Sequence, residues 1–280
     1  MSASFSVDET ETQGRPAGGK SESIVVTDAK VYVGDPGPLV GASKIVLHTR
    51  QGRNLVMGRP PEMEDSNSHK VKFHHIKGVF DFARQVRQVV QSASMDDPYA
   101  DWTLVRLEAA FKETEAWIRH TRQEVEAKLS AFRGVDILVA QSVTPIEVTV
   151  QFRTPYSYLP LYAISDADQL FLAILTAAHT ARLSRDQKER LMRDVSAKVR
   201  SLLYAPDVWR WGGALVTRTL LQQIDQESLH PKIRKAMADA KQRMGELPQA
   251  ILDRSLRGEF APEIRTKPKF AREDLEDSGG

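Results

Sequence analysis

The chain of 280 residues contains no cysteine. Disulfides, thiolate nucleophiles and cysteine-ligated zinc or iron–sulfur centres are therefore excluded. No stretch approaches 18 consecutive apolar residues, and the first 25 residues lack a basic start followed by an apolar run. Neither a membrane span nor a signal peptide is predicted, and we expect a soluble cytoplasmic protein.

The sequence signatures of common enzymes are missing too. There is no Gly-rich loop ending in Lys-Ser or Lys-Thr, no Gly-x-Ser-x-Gly elbow and no dinucleotide fingerprint. His74 and His75 beside His69 suggest a metal, but adjacent histidines on a strand point to opposite faces, and no carboxylate stands at helical ligand spacing. The sequence predicts no enzyme, no metal or other cofactor, and no small-molecule substrate.

The charge of the chain is informative only in its distribution, because 39 basic and 37 acidic residues leave a net charge of +2. Nine basic residues against four acidic ones lie between Lys44 and Arg87, and seven against three lie between Arg182 and Arg200. Such segments favour binding to a polyanion such as the DNA backbone. A solvated surface that keeps a protein soluble has the same composition, so this alternative stays open.

The predicted fold class is α+β, mainly α-helical. Residues 1–22 and 265–280 are polar and are expected to be disordered tails. Residues 23–264, with enough apolar content for a real core, are expected to form a single domain. Within it, two strand–helix–helix units at 43–130 and 146–204 precede C-terminal helices at 207–258, as a ribbon-helix-helix arrangement would require.

The strands are predicted from β-branched residues in short runs. The segments are Ile24 to Val33, Lys44 to Thr49, Asn54 to Met57 after a turn at Arg50 to Arg53, Val135 to Ala140, and Ile146 to Phe152. The last one alternates strictly, with Val148, Val150 and Phe152 on one face and Thr149, Gln151 and Arg153 on the other. Such a strand has one buried and one solvated face.

The helices are predicted from apolar spacing and caps. They are a helix from Ile76 to about residue 93, a long one from Asp97-Pro98 to near Gly134, one capped by Ser165 and Asp168, one with a capping box at Ser184 and Gln187, and three shorter ones after Pro206. The stretch from Pro155 to Ile164 is apolar enough for another strand.

Two such strands paired as an antiparallel ribbon could place their outer side chains in the major groove, as in ribbon-helix-helix regulators. The candidate DNA-binding residues on or beside the strands are Lys44, His48, Arg50, Arg53, Thr149, Gln151 and Arg153. The helix start near Ser184, with Arg185 and Lys188, is a candidate phosphate site. A half-exposed sheet and a simple helix cap explain the same patterns, so both alternatives remain.

Four short motifs carry a resemblance to a known family. They are Asp96-Asp97-Pro98-Tyr99-Ala100-Asp101-Trp102, Ala177-Ala178-His179-Thr180-Ala181, Gly245-Glu246-Leu247-Pro248 and Phe260-Ala261-Pro262. Together they make the chain, over roughly 43–264, resemble proteins encoded by integrating conjugative elements and conjugative plasmids, a family that includes the AcaB-like transcriptional activators. The resemblance implies a ribbon-helix-helix regulator that binds double-stranded DNA as a homodimer or higher oligomer and activates conjugative transfer genes. The alternative is a structural or adaptor protein of the conjugation machinery that uses the 98–130 helix and the C-terminal helices to bind proteins.

Overall fold

A computed structural model describes residues 42–60, 62–63, 71–130, 134–222 and 227–265. The elements in these ranges are β1 (Ser43–Leu47), α1 (Arg50–Met57), β2 (Glu62–Met63), β3 (Val71–Phe73), α2 (Val79–Ser94), α3 (Pro98–Leu129), β4 (Ile146–Val150), α4 (Leu159–His179), α5 (Arg185–Tyr204), α6 (Arg218–Leu221), α7 (Pro231–Met244) and α8 (Gln249–Leu252). The described part is α+β and mainly helical, as predicted. The predicted strand from Ile24 to Val33 and the 1–22 tail lie outside the described residues, and so does all but the first residue of the 265–280 tail.

The strands β1 and β4 pair antiparallel with each other, although 98 residues separate them along the chain. We refer to this two-stranded sheet as the ribbon. Its inner side is buried and apolar, formed by Ile45, Leu47, Val148 and Val150. Because strand side chains alternate, burying these four residues leaves their neighbours on the outer face. The strict alternation predicted for β4 is thereby confirmed.

The strands predicted at residues 54–57 and 135–140 are wrong. Asn54 to Met57 belongs to the helix α1, because the Thr49 side chain caps a helix there by accepting a hydrogen bond from the Gly52 amide at 3.0 Å. The Val135 to Ala140 segment contains no strand, and the Ala140 amide donates to the Thr176 hydroxyl of α4 at 3.0 Å. The loop is held by a helix side chain instead of a neighbouring strand.

The core is built by α2, α3, α4 and α5. The long helix α3 begins where predicted, with Asp97 capping Tyr99 and Ala100 and with Pro98 in its first turn, but it ends at Leu129 and not near Gly134. The α5 cap at Ser184 is confirmed. These caps were predictable because they depend only on adjacent residues.

The central helix is α4, which buries fourteen of its 21 residues. It begins at Leu159, so the predicted start at Ser165 and Asp168 is wrong, and so is the strand suggested from Pro155 to Ile164. The segment Pro155–His179 is long and apolar enough to cross a membrane by length and composition, but 67% of the relevant window is buried inside the protein. A core helix has these properties.

The C-terminal segment is tied to α3 by a buried ion-pair network. Arg218 of α6 donates to Asp101 at 2.7 Å, to Asp96 at 2.6 Å and to the Ile251 carbonyl of α8 at 2.9 Å. Arg257 holds both carboxylate oxygens of Asp101, at 3.0 and 3.1 Å. Since Asp101 is fully buried and Arg218 is 2% exposed, the network fixes the short helices α6 and α8 against the start of α3.

Candidate nucleic-acid interface

The outer face of the ribbon carries polar and charged side chains in a defined register. Lys44 lies opposite Thr149, and Val46 lies opposite Glu147, all four exposed. Gln151 and Arg153 follow β4 and are exposed, whereas His48 follows β1 and is half-buried. The outer face is therefore open to a ligand along its whole length.

The charge of the outer face is mixed. The Lys44 ammonium lies 2.5 Å from the Glu147 carboxylate of the paired strand, and each side chain is about half exposed, at 51% and 55%. An ion pair this open to water contributes little to stability, typically below about 1 kcal/mol. Both side chains are consequently available to exchange their mutual contact for a ligand.

Two arginines flank the ribbon where β1 ends. Arg50 and Arg53 lie in the first turn of α1, directly after the strand, and both are exposed. Within the described part of the chain, neither of them lies in an ion pair. Both guanidinium groups are therefore open to a ligand at this end of the ribbon.

The junction of β1 and α1 is anchored to the core by Asp168, which is fully buried in α4. Its carboxylate accepts hydrogen bonds from the amides of His48 at 2.7 Å and Thr49 at 3.0 Å, and from the Thr49 hydroxyl at 2.5 Å. The Ser142 amide donates to His48 Nδ1 at 3.3 Å. A neutral ring that accepts at Nδ1 carries its proton on Nε2, so His48 would present a donor at that atom.

A groove of about 330 Å³ lies beside the other end of the ribbon, where β4 ends. Its lining includes Gln151 and Arg153 together with Phe80, Arg84 and Arg87 of α2. Phe80 and Phe152 pack edge to face with ring centroids 6.2 Å apart, which holds α2 against this end. Arg84 lies 3.6 Å from Asp81, while Arg87 and Arg153 lie in no ion pair among residues of the described ranges.

The phosphate site predicted at the start of α5 already has hydrogen-bond partners within its own helix. Ser184 and Gln187 form a reciprocal capping box, and Arg185 donates to Glu189 at 3.0 Å. That ion pair holds the pKa of Glu189 below its usual range. In the described residues, no hydrogen bond or ion pair connects residues 184–188 with β1 or β4.

A family model described as the transcriptional regulator AcaB matches residues 35–265. The chain belongs to this AcaB family of transcriptional regulators. The resemblance inferred from the four motifs is thus confirmed. A crystal structure of selenomethionine-containing AcaB from uropathogenic E. coli is similar with a TM-score of 0.48 and 11% sequence identity, over 78% of this chain and 97% of that one. No curated protein matches the chain.

Two of the four AcaB-family motifs are scaffold elements. Asp97 caps α3 and also accepts a hydrogen bond from the Trp209 indole at 3.2 Å, and burial raises its pKa to about 6. In the last motif, the Phe260 ring packs against Tyr156, whose hydroxyl donates to Glu108 at 2.7 Å. In this chain both motifs therefore help to hold the fold together.

Three residues of the candidate interface were not among the sequence-derived candidates: Glu147, Arg84 and Arg87. Glu147 is two residues from Thr149 and four from Gln151, so it lies on the same face of the strand. The alternation alone could therefore have indicated it as an interface residue. Arg84 and Arg87 are three residues apart on one helix face, but only the tertiary packing of α2 places them beside Arg153. Within the described ranges, no cluster of three or more histidine, aspartate or glutamate residues could hold a metal ion.

Proposed function

We propose that this AcaB-family chain regulates transcription by inserting the outer face of its ribbon into the major groove of double-stranded DNA. The observation that carries the proposal is a paired antiparallel ribbon with a buried apolar side and an exposed polar side. The major groove admits a two-stranded ribbon, and base edges there display a distinct pattern of donors and acceptors for each base pair. The ribbon has the size and the chemistry for this groove.

The outer side chains match the chemistry of base edges. Lysine donates to guanine O6 and N7, glutamine pairs with adenine N6 and N7, and glutamate accepts from the cytosine amino group. Lys44, Gln151 and Glu147 supply these three chemistries, and Thr149 can donate or accept. The ribbon therefore carries direct base readout in the proposed complex.

Phosphate contacts would come from the two ends of the ribbon. Arg50 and Arg53 lie after β1, and Arg84, Arg87 and Arg153 lie around the groove after β4. Phosphate contacts position a protein on the duplex, whereas base contacts specify the sequence. Arg185 and Lys188, at the start of α5, are proposed as outlying phosphate contacts.

The biological setting is proposed from the family resemblance. On that basis the chain is proposed to act in the cytoplasm as an activator of conjugative transfer genes, as a homodimer or higher oligomer. The ribbon itself is completed within one chain, so an oligomer is not needed to form it. No observation favours the adaptor alternative, because the buried residues of α3 pack into the core of this same chain.

The proposal is tested by titrating fluorescent random-sequence duplex DNA with the full chain at several salt concentrations. The logarithm of the binding constant should fall steeply with the logarithm of salt, and Arg50→Ala or Arg87→Ala should each reduce that slope by about 0.9. Arg119→Ala is the matched control, since this exposed arginine lies on α3 and pairs with Glu115 at 3.1 Å. A slope near zero for the unmodified chain would contradict the proposal.

A further inference from the structure

Two identical strands paired in this register would be related by a two-fold axis, but the two strands of the ribbon have different sequences. The central pair of the register is Ile45 with Val148. A half-turn about this pair would exchange residues at equal positions of the two strands. On the outer side it exchanges Lys44 with Glu147, Val46 with Thr149, and His48 with Gln151.

The exchanged positions are alike at the buried part of the inner side and unlike on the outer side. Inside, Ile45 exchanges with Val148 and Leu47 with Val150, all buried and apolar, whereas Ser43 and Ile146 at the strand starts are exposed and unlike. Outside, Lys44 can only donate hydrogen bonds, whereas the ionised Glu147 can only accept them. Val46 offers a methyl surface where Thr149 offers a hydroxyl. The buried positions of the inner side therefore have an approximate two-fold symmetry that the outer face lacks.

The two ends of the ribbon differ as well. After β1 comes α1, whose exposed Arg50 and Arg53 lie at that end, while the buried Asp168 carboxylate of α4 accepts hydrogen bonds from the His48 and Thr49 amides there. After β4, the adjoining helix is α2, which contributes the exposed guanidinium groups of Arg84 and Arg87 to the groove. A duplex lying along the ribbon would therefore meet a different helix at each end.

We infer that one chain binds one non-palindromic DNA element, in a single orientation, and that Lys44 and Glu147 set that orientation. This inference rests on the proposed binding of DNA by the ribbon, and it replaces the oligomer proposed from the family resemblance with a single chain on each element. Palindromic operators mirror the two-fold symmetry of the dimers that bind them, and this ribbon has no such symmetry on its outer face. A five-residue strand spans about 17 Å, the length of about five base pairs. Glu147 is thus a specificity-determining residue.

The experiment begins with selection of bound duplexes from a random-sequence library by the full chain. From the recovered element, two symmetrised duplexes are made, one from each half and its inverted copy. We expect the recovered element to have unlike halves, one chain of 31.4 kDa per element by sedimentation, and binding about tenfold or more weaker to both symmetrised duplexes. A symmetrised duplex that binds as tightly as the recovered element would overturn the inference, as would a requirement for two chains.

A charge swap tests the two named residues. The double variant Lys44→Glu with Glu147→Lys keeps the net charge and the exposed ion pair, and it should select an element changed at the base pairs that these residues face. The matched control is Lys241→Glu with Glu246→Lys, another exposed lysine–glutamate pair at 2.6 Å, at the end of α7. The control should select the original element. An unchanged element in the first variant, with its circular dichroism intact, would overturn the role of Lys44 and Glu147.

The outcomes also separate this inference from the proposed function. If the unmodified chain enriches no duplex at all, the proposed function fails, and the inference fails with it. If it enriches a palindrome, DNA binding stands and only the inference fails.

Discussion

The Thr49 hydroxyl donates to the buried Asp168 carboxylate at 2.5 Å, and the same oxygen accepts a hydrogen bond from the Gly52 amide at 3.0 Å. One side chain thereby joins the end of β1 to the start of α1 and to the middle of α4. Because Asp168 also accepts from the His48 and Thr49 amides, it fixes where the ribbon lies on the helical core.

Asp168→Asn tests this anchor. An asparagine of the same shape places an amide NH₂ where a carboxylate oxygen accepts, so at least one buried donor loses its partner. We expect the free energy of unfolding to fall by about 1–3 kcal/mol, measured by chemical denaturation, with a parallel loss of DNA affinity. Thr49→Ser, which keeps the hydroxyl, is the control and should lie within about 1 kcal/mol of the unmodified chain. An Asp168→Asn chain of unchanged stability would argue against the anchor.

Gly52→Ala tests the close approach of α1 to α4. In an exposed helix this change normally stabilises by up to about 1 kcal/mol. Here the added Cβ would fall on Asp168 Oδ1, so the carboxylate or the helix must shift. We expect the sign to reverse, with a loss of about 1–3 kcal/mol in the free energy of unfolding. A raised melting temperature would show that the contact is looser than described.

Arg218 and Arg254 provide a matched pair for the C-terminal network, since both donate to Asp96. Arg218 is buried and also bonds Asp101, whereas the Arg254 side chain is 51% exposed. Arg218→Met should cost about 3 kcal/mol because the buried Asp101 carboxylate loses one of its two guanidinium partners and the Ile251 carbonyl loses the hydrogen bond from Arg218. Arg254→Met should cost less than about 1 kcal/mol. Similar losses in the two variants, measured by urea denaturation, would contradict the importance of burial.

Asp97 should make stability depend on pH. Burial raises its pKa from 3.8 to about 6, so the folded chain binds the proton more tightly than the unfolded chain does. The stabilisation due to the protonated group is complete below about pH 4 and is lost as the pH rises towards about 6, a change of about 3 kcal/mol. Relative to Asp97→Asn, the unmodified chain should therefore lose stability across this range. Parallel stability profiles for the two chains would contradict the raised pKa.

Local signals in the sequence predicted the start of α3, the cap of α5, and the alternation of β4. These signals failed where contacts with residues far away in the sequence determine which element forms and where it begins. Asp168 is a residue type that often caps helices, but α4 begins nine residues earlier because its apolar residues are buried among α1, α3 and α5. Likewise, Asn54 to Met57 is predicted to return as a strand after a turn at Arg50 to Arg53, yet Leu55 and Val56 are buried beside Gly52 at helical spacing.

Some features of the candidate site were likewise predictable from local sequence, and others depend on the fold. The residue types of the outer face and the absence of cysteine-based chemistry follow from the order of amino acids, because strand alternation and side-chain chemistry are local properties. That β1 pairs with β4 of the same chain, and that α2 carries two arginines to the end of β4, depends on burial of apolar surface between segments about 70 to 100 residues apart. No short window of sequence contains both partners of such a contact, so only the folded chain could determine which strands form the ribbon and what lies at its ends.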